Sequence, residues 1–509
     1  MRIVIRADAS LQIGTGHVMR CLVLAKQLSD QGHFVSFASR PQAGDLIEFI
    51  RRQGIDVIPL DPVAETGQSI QSNVNYLDWL GRAVDDDVND FLAVVDSAVM
   101  VVTDHYAIDR EWQSKVRAAL GCKIVAIDDL VREHDADLII DQTLGRASQE
   151  YQSSDKVLAG TNYAILRPEF AELRERAFDR SVSKSLGKIL VTMGGSDTPN
   201  ATMAVLRALS SQSDITITVL LSDRAEHYSE VASYCAGYPQ IQHIDFVEDM
   251  ATLMMEHDVA IGAPGTTSWE RACLGLPSIV VPIAQNQQDI CKQLVSNHVS
   301  IAVPLAEVEQ SLPSALNRML LDWESYYSAS LKTCDGLGIR RILLIFDQFF
   351  ALQRPEYELV QASVQDIEKV FQWQCHPSTR QFSLNQDQPT WDEHLDWMTH
   401  KISECVQDHF YITRDIETKT RIGVARLDRI SAGHYLVSIF IDPESYGKGI
   451  GLATLELLDN MHPHVTIHAT VLADNVASQR LFEKANYQRV DAKNFIRNPV
   501  GRDTYDKVH

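Results

Sequence analysis

Arg6-Ala-Asp8-Ala-Ser-Leu-Gln-Ile-Gly14-Thr-Gly16-His17-Val-Met-Arg20 is the stretch that decides the fold of this chain. It follows the apolar run Ile3-Val4-Ile5 and leads into Val18, Cys21, Leu22, Leu24, Ala25 and Leu28, which recur at helical spacing. The pattern reads as a strand, a glycine turn and an amphipathic helix. Glycines at such a turn let backbone approach a ligand closely. The free amides of a helix start favour an anion. His17, in the same turn, adds a group that can move a proton near neutral pH.

Outward from this turn the alternation repeats. Apolar strands are expected at 3–5, 35–38, 57–60, 100–103, 124–127 and 138–140, with helices such as 18–29 and 45–53 between them. A second series is expected at 188–192, 215–221, 241–246, 259–261 and 278–282, after a charged, Ser-rich segment (174–187) that suits a linker. Short apolar strands between helices form parallel sheets covered on both faces, and such sheets bind ligands at the carboxyl ends of their strands. The reading is α/β, with two tandem Rossmann-like domains at 1–170 and 171–350. The run Ile339–Phe350 closes the second, and Ala351-Leu-Gln-Arg-Pro355-Glu marks the next boundary. From 357 to 509 the pattern changes to consecutive antiparallel strands at 409–414, 421–428 and 434–441, with helices at 366–375, 452–461 and 477–485, an α+β texture.

The 509 residues carry 46 basic and 68 acidic side chains, a formal charge of −22, which argues against a nucleic-acid partner. The eight cysteines are scattered and are expected to be reduced and mostly buried in a cytoplasmic protein. Met1–Ile5 reads as a strand and not a signal peptide, and no apolar run approaches membrane-spanning length. Asp85-Asp86-Asp87 is expected on a solvated face.

Four clusters fall at strand ends in the first 350 residues: Asp8 with Gly14, Gly16, His17 and Arg20; Asp104-His105-Tyr106; Gly194-Gly195-Ser196-Asp197; and Gly265-Thr266-Thr267-Ser268-Trp269-Glu270, followed by Asn286-Gln287. In the fourth, amides and hydroxyls at a helix start can hold a diphosphate, and Glu270 can accept the hydroxyls of a ribose. Helix capping would use the same residues. Taken with Gly194-Gly195 and the His17 turn, a ligand site is the favoured reading. His105 lacks a comparable setting and is expected to be structural. No sequence cluster has metal-ligand spacing, so no metal is expected.

These motifs resemble the nucleotide-sugar hydrolase of the pseudaminic-acid pathway, a GT-B-like enzyme. The resemblance rests on Arg6-x-Asp8, Gly14-x-Gly16-His17-x-x-Arg20, Asp104-x-Tyr106, Gly194-Gly195-Ser196-Asp197, Gly265-x-x-Ser268-x-Glu270 and Asn286-Gln287. It implies water attack on the anomeric carbon of UDP-2,4-diacetamido-2,4,6-trideoxy-β-L-altrose with departure of UDP. His17 would be general base or water-orienting group, and Asn286 would position water or sugar. Glu270 would bind ribose, and Gly195, Ser196, Thr266 and Thr267 would surround the diphosphate. Asp8, Gly16, Arg20, Asp104, Tyr106, Gly194 and Gln287 complete the expected substrate site.

In the last third, Phe440-Ile441-Asp-Pro-Glu-Ser-Tyr446-Gly447-Lys448-Gly449-Ile450-Gly451 is a strand, a glycine turn and a helix start, an arrangement whose successive amides suit a pyrophosphate. With Asn475-x-Ala477-Ser478-x-x-Leu481-Phe482-Glu483-Lys484-x-Asn486-Tyr487 it resembles the GNAT N-acetyltransferases. Tyr446 stands where that family has Gln or Arg, and Asn486 where it has Gly. The resemblance implies acetyl-CoA as co-substrate. It places Phe440 and Ile441 on a splayed strand edge, and Gly447, Lys448, Gly449, Ile450, Gly451, Asn475 and Ser478 at the cofactor. Tyr487 is the candidate acid for the departing thiolate, or else a core aromatic. His376, Arg380, Glu393 and His394 lie in a stretch similar to acceptor-facing helices. Together the two resemblances imply a bifunctional enzyme that acetylates the 4-amino group of UDP-4-amino-4,6-dideoxy-N-acetyl-β-L-altrosamine and then removes UDP. The alternatives are the same reactions on another aminosugar precursor, or a glycosyltransferase with a regulatory acyl-CoA-binding module. The sequence leaves oligomeric state open.

Overall fold

The computed structural model describes residues 1–63, 76–152, 156–180, 187–195, 197–212, 214–350 and 355–500. The first sheet is wholly parallel, in the order Asp56–Pro59, Phe34–Ser39, Arg2–Arg6, Met100–Thr103, Lys123–Ile127, Leu138–Asp141, Val157–Ala159. The second is also parallel, in the order Ile241–Ile244, Thr216–Leu220, Lys188–Thr192, Val259–Gly262, Ser278–Val280, Ser300–Ala302. In each the strand order reverses beside the first strand, the place where a crevice opens at the carboxyl ends. The strands are apolar along their length because both faces are covered: Ile3, Val4, Ile5, Val101 and Val102 are wholly buried.

The third sheet is mixed, in the order Tyr357–Gln361, His409–Asp415, Arg421–Ser431, His434–Ile441, Thr466–Thr470, Asn494–Arg497, Gln488–Arg489. Its one parallel pair joins His434–Ile441 to Thr466–Thr470. That pairing stops at Leu436, although the same strand stays paired to Arg421–Ser431 as far as Ile441. The strands therefore splay, as the acetyltransferase resemblance leads one to expect.

The described residues of 1–177 and 181–339 form one compact unit, and those of 178–180 and 340–509 form another. The division falls inside the helix Gly338–Phe350, which the sequence reading places at the end of the second half. The expected 170/171 boundary falls inside the helix Pro168–Ala177. The linker expected from 174 is corrected at its start: Arg174 is buried in that helix and donates to the carbonyls of Cys273, Cys334 and Leu331. Most of the 351–356 boundary lies outside the described residues.

In the acidic run Asp85 and Asp86 are exposed as expected, and the expectation is corrected at Asp87. Asp87 is fully buried, paired with Arg6 at 2.8 Å and Arg40 at 2.6 Å, and it accepts from the Trp112 indole. Burial would raise its pKa, but the two guanidiniums outweigh burial and hold it far below the usual carboxylate range.

Buried histidines make the fold acid-sensitive. Burial draws His105 down to about 3, and burial with His409 and His464 nearby draws His462 well below the ordinary value. Above pH 6.5 both are neutral whether the chain is folded or not, so they do not affect stability. Below it the unfolded chain takes up protons that the folded chain refuses, so stability falls as pH falls. For His105 the expected loss at pH 5 is about 2 kcal/mol. Urea midpoints should drop between pH 7 and pH 5; a flat profile would contradict neutral burial.

Candidate active site

In the first unit the helix Gly16–Asp30 starts without a side-chain cap, and its glycine turn is open: a Cβ at Gly14 or Gly16 would meet nothing within 4 Å. His17 is therefore presented at an uncovered helix start. Its Nδ1 lies 2.6 Å from Asp104 Oδ1, and Arg20 reaches both Asp104 oxygens at 2.6 and 2.7 Å. Burial alone would raise Asp104, but Arg20 and His17 hold it far below the ordinary range. An ionised carboxylate only accepts, so the proton of neutral His17 sits on Nδ1 and Nε2 carries the lone pair. Tyr106 packs edge-on to the imidazole at 4.6 Å.

A cleft of about 150 Å³ lies above these groups. The first half supplies Gly16, His17, Arg20, Tyr106, Asp129, Gln142 and Thr143, and the second supplies Gly265, Thr266, Asn286 and Gln287. Near the cleft, Gln142 Nε2 of the first half donates to Thr266 Oγ1 of the second at 3.2 Å, and Gly195 approaches Thr15 so closely that a Cβ there would come within 2.9 Å of its Oγ1. The Tyr106 hydroxyl approaches the Asp129 and Asn286 side chains, so the two halves meet beside His17.

The helix Thr266–Cys273 begins at Gly265, where a Cβ would also meet nothing within 4 Å. Glu270 is half-buried on this helix; its backbone carbonyl accepts from the Leu274 amide, while no described residue donates to its carboxylate. Burial raises its pKa, against the pull of Arg167 and Arg271. Thr267, Gly194 and Gly195 lie outside the lining of the cleft, and both glycines are exposed. Ser196 is outside the described residues.

Two expected substrate contacts are corrected. Asp8 is fully buried, 2.7 Å from Arg6, accepts from the Arg40 amide, and is absent from the lining of the cleft. Asp104 is likewise fully buried and meets His17 and Arg20 instead of the cleft. His105, expected to be structural, is 1% exposed. Asp129 and Thr143 are lining residues that sequence reasoning missed. Asp129 closes the strand Lys123–Ile127 in the pattern that singled out Asp8 and Asp104, and that signal was there to use.

In the second unit, Gly447 and Gly449 adopt φ of 79° and 81°, in the left-handed region, and a Cβ on either would enter open space. Gly449 caps the helix Ile450–Met461, whose first amides have no side-chain partner. The glycine loop thus sits where the strand ending Phe440-Ile441 has left its neighbour. Gly451 lets the helix Val476–Lys484 approach: a Cβ there would lie 3.1 Å from Leu481. Asn475 caps that second helix through the Ser478 amide at 3.1 Å. Lys448 is exposed in the loop.

Tyr487 is corrected. It is 3% exposed, and its hydroxyl donates to Asp459 Oδ1 at 3.2 Å, a carboxylate also held by Arg497 at 3.0 Å. Burial and then Asp459 push its pKa well up. Asp459 is nine residues beyond Ile450, about 13 Å along the helix from the glycine loop. Tyr487 is a core aromatic, packed on Phe482. His394 is also buried, bonded to Ile367 O and Gln374, and Glu393 completes a capping box with Thr390. His376 is exposed and caps the short helix Pro377–Arg380, which follows the helix Ile367–Cys375; Arg380 is half-buried.

The comparisons agree with this fold. Residues 189–338 match the glycosyltransferase family 28 C-terminal domain, and residues 357–488 match the acetyltransferase (GNAT) domain. The chain thus joins a GT-B-type unit to a GNAT acetyltransferase domain. It is 27% identical over 269 residues to UDP-2,4-diacetamido-2,4,6-trideoxy-beta-L-altropyranose hydrolase of Campylobacter jejuni, covering 51% of this chain and 84% of that one. An uncharacterized protein of Methanocaldococcus jannaschii is 24% identical over 519 residues, covering 96% of this chain and 97% of that one. Among solved structures, the glycotransferase of kitacinnamycin superposes with a TM-score of 0.50 at 12% identity, over 69% of this chain and 98% of that one, a likeness of fold. No helix among the described residues is long and apolar enough to cross a membrane.

Proposed function

We propose that the chain is a bifunctional nucleotide-sugar enzyme. The second unit transfers acetyl from acetyl-CoA to the 4-amino group of UDP-4-amino-4,6-dideoxy-N-acetyl-β-L-altrosamine. The first unit then hydrolyses UDP-2,4-diacetamido-2,4,6-trideoxy-β-L-altrose to UDP and free sugar. The observation that carries the reading is the Asp104–His17 pair at the floor of a cleft whose opposite wall is an open helix start. The similarity to the Campylobacter jejuni UDP-2,4-diacetamido-2,4,6-trideoxy-beta-L-altropyranose hydrolase supports the choice of substrate.

In this reading His17 Nε2 takes a proton from water as the water attacks the anomeric carbon, and Asp104 stabilises the imidazolium that forms. Asn286, beside the Tyr106 hydroxyl, orients the water or the sugar. The amides at Thr266 and Thr267 meet the diphosphate that leaves, and Glu270 accepts the ribose hydroxyls. In the second unit the amides of Gly449, Ile450 and Gly451 hold the pyrophosphate of acetyl-CoA. The unpaired edge at Phe440-Ile441 receives its pantetheine arm. The test is hydrolysis in H₂¹⁸O: the label should appear in the released sugar and not in UDP. Label in UDP would place the cleavage at phosphorus and refute water attack at carbon.

Asp104→Asn should lower UDP release by up to about 10⁴-fold, as loss of the carboxylate that fixes the tautomer of a general-base histidine does. A neutral amide can satisfy Nδ1 in either tautomer, so the Nε2 lone pair is no longer guaranteed. Steady-state kinetics on a variant whose circular dichroism is unchanged would check this; a loss below about 3-fold would contradict the role.

A further inference from the structure

An amine carries a proton near neutral pH and must lose it before it attacks a thioester. On the acceptor-side helices, Glu393 and His394 are committed to a helix cap and to the core. A different pair of imidazoles stands on the sheet of the second unit. His434 Nδ1 lies 3.1 Å from His468 Nε2, with ring centroids 5.4 Å apart. His434 is exposed and His468 is half-buried. His468 pairs with Leu436, the last rung that joins the strands His434–Ile441 and Thr466–Thr470 before they part. Side chains alternate along a strand, so His434, Leu436, Ser438 and Phe440 share one face. Phe440 packs against the cluster of Val370, Trp373 and Met398, which come from the helices Ile367–Cys375 and Trp391–Ser403. This is therefore the acceptor-side face, and the contact between the imidazoles puts His468 on it too. The pair stands at the root of the splay. From Leu436 to Ile441 the free edge runs five residue steps, about 17 Å, so an arm that leaves the glycine loop along it points its sulfur toward this root.

We propose that His468 is the proton acceptor of the acetyl-transfer step and that His434 positions it. This rests on the acetyl-CoA reading above and supplies the base which that reaction requires. Two neutral imidazoles carry two protons on four nitrogens; one proton lies between the rings, so one lone pair stays free. In the working tautomer His468 Nε2–H donates to His434 Nδ1, and His468 Nδ1 accepts. Burial and then His434 draw His468 below its ordinary value, which leaves it neutral at pH 7. The flanking rungs carry the apolar Leu436 and Ile496, and Arg497 turns to Asp459. Asp428, one strand beyond Leu436, is held by Lys401 and Arg426. The substrate ammonium gives one proton to His468, and the freed lone pair attacks the thioester carbon. The C–S bond breaks, and the thiolate takes the proton that nitrogen sheds as it becomes an amide.

The experiment measures steady-state acetyl transfer to the 4-amino nucleotide sugar, with the Kd of coenzyme A as reference. His468→Gln should lower kcat at pH 7 by about 100-fold, with that Kd unchanged. The deficit should shrink at pH 9, where more of the amine arrives unprotonated. His434→Gln should lower kcat less than His468→Gln does. In NMR of the full chain labelled with ¹⁵N-histidine, without substrate, it should also move the His468 titration upward, because a like charge has gone. A kcat for His468→Gln within about 3-fold of wild type, or a deficit equal at the two pH values, would overturn the assignment. So would a His468 titration that ignores His434→Gln. A wild-type protein that binds no coenzyme A would overturn the acetyltransferase reading, and the assignment with it. Coenzyme A binding without transfer to this sugar would overturn the choice of sugar alone, and the titration would then decide the pair.

Discussion

His17→Ala should lower UDP release by about 10²–10⁴-fold and leave acetylation of the amino sugar at the wild-type rate. The size of the effect follows from what is removed. His17 is the one titratable group in the lining of the cleft that combines a free lone pair with a proton already assigned elsewhere. Asp129, also in the lining, has one oxygen engaged by Arg20, and Arg20 is itself committed to Asp104. Alanine at 17 should not disturb the helix, because His17 sits in its first turn and alanine has high helix propensity. It does leave Asp104 with Arg20 as its remaining charged neighbour, so the fold should persist through that bidentate pair. Kinetics of UDP release, with acetyl transfer measured on the same preparation, check this. UDP release at the wild-type rate would remove His17 from the chemistry.

The second large effect is expected at the other end of the chain. Gly449→Val should reduce acetyl transfer by about 100-fold or more while hydrolysis of the pre-acetylated nucleotide sugar continues. The φ of 81° at Gly449 costs a residue with a Cβ about 1–2 kcal/mol, and a β-branched side chain more. The new side chain would also stand in the open space above the amides of Ile450 and Gly451. Strain and obstruction act together on the loop that receives the pyrophosphate. Isothermal titration with coenzyme A and an acetyl-transfer assay separate binding from turnover. Retention of both by the valine variant would show that the loop does not hold the cofactor. Between them, His17→Ala and Gly449→Val should each silence one reaction and spare the other.

Much of this architecture was legible in the sequence because the signals are local. The two parallel series stand out as apolar runs between helical stretches, and the main strands lie within a residue or two of their expected places. The strands Val157–Ala159 and Ser300–Ala302 escaped notice because three residues carry no periodicity. The antiparallel pair Gln488–Arg489 and Asn494–Arg497 is similarly short. The open glycine turns at Gly14–Gly16, Gly265 and Gly447–Gly449 were legible because glycine marks backbone that must stay uncovered or turn left-handed.

What sequence could not supply was the direction of polar side chains. Asp8 and Asp104 stand at strand ends, where ligands bind, yet both face inward to arginines and histidines. Asp87 sits in an acidic run that suggests solvent, and its partners Arg6 and Arg40 lie 81 and 47 residues away. Tyr487 sits in the right motif for an acid but is folded onto Asp459. In each case the partner is distant in the chain, and only the tertiary fold reveals it.

The central claim is that the two units perform consecutive steps on one nucleotide sugar. Its most direct test is a single reaction containing the UDP-4-amino-altrosamine derivative, with and without acetyl-CoA, followed by mass spectrometry and NMR. The account predicts UDP and free 2,4-diacetamido-2,4,6-trideoxy-L-altrose when acetyl-CoA is present, and unchanged nucleotide sugar when it is absent. An unchanged nucleotide sugar in both reactions, or UDP release that does not depend on acetyl-CoA, would contradict it.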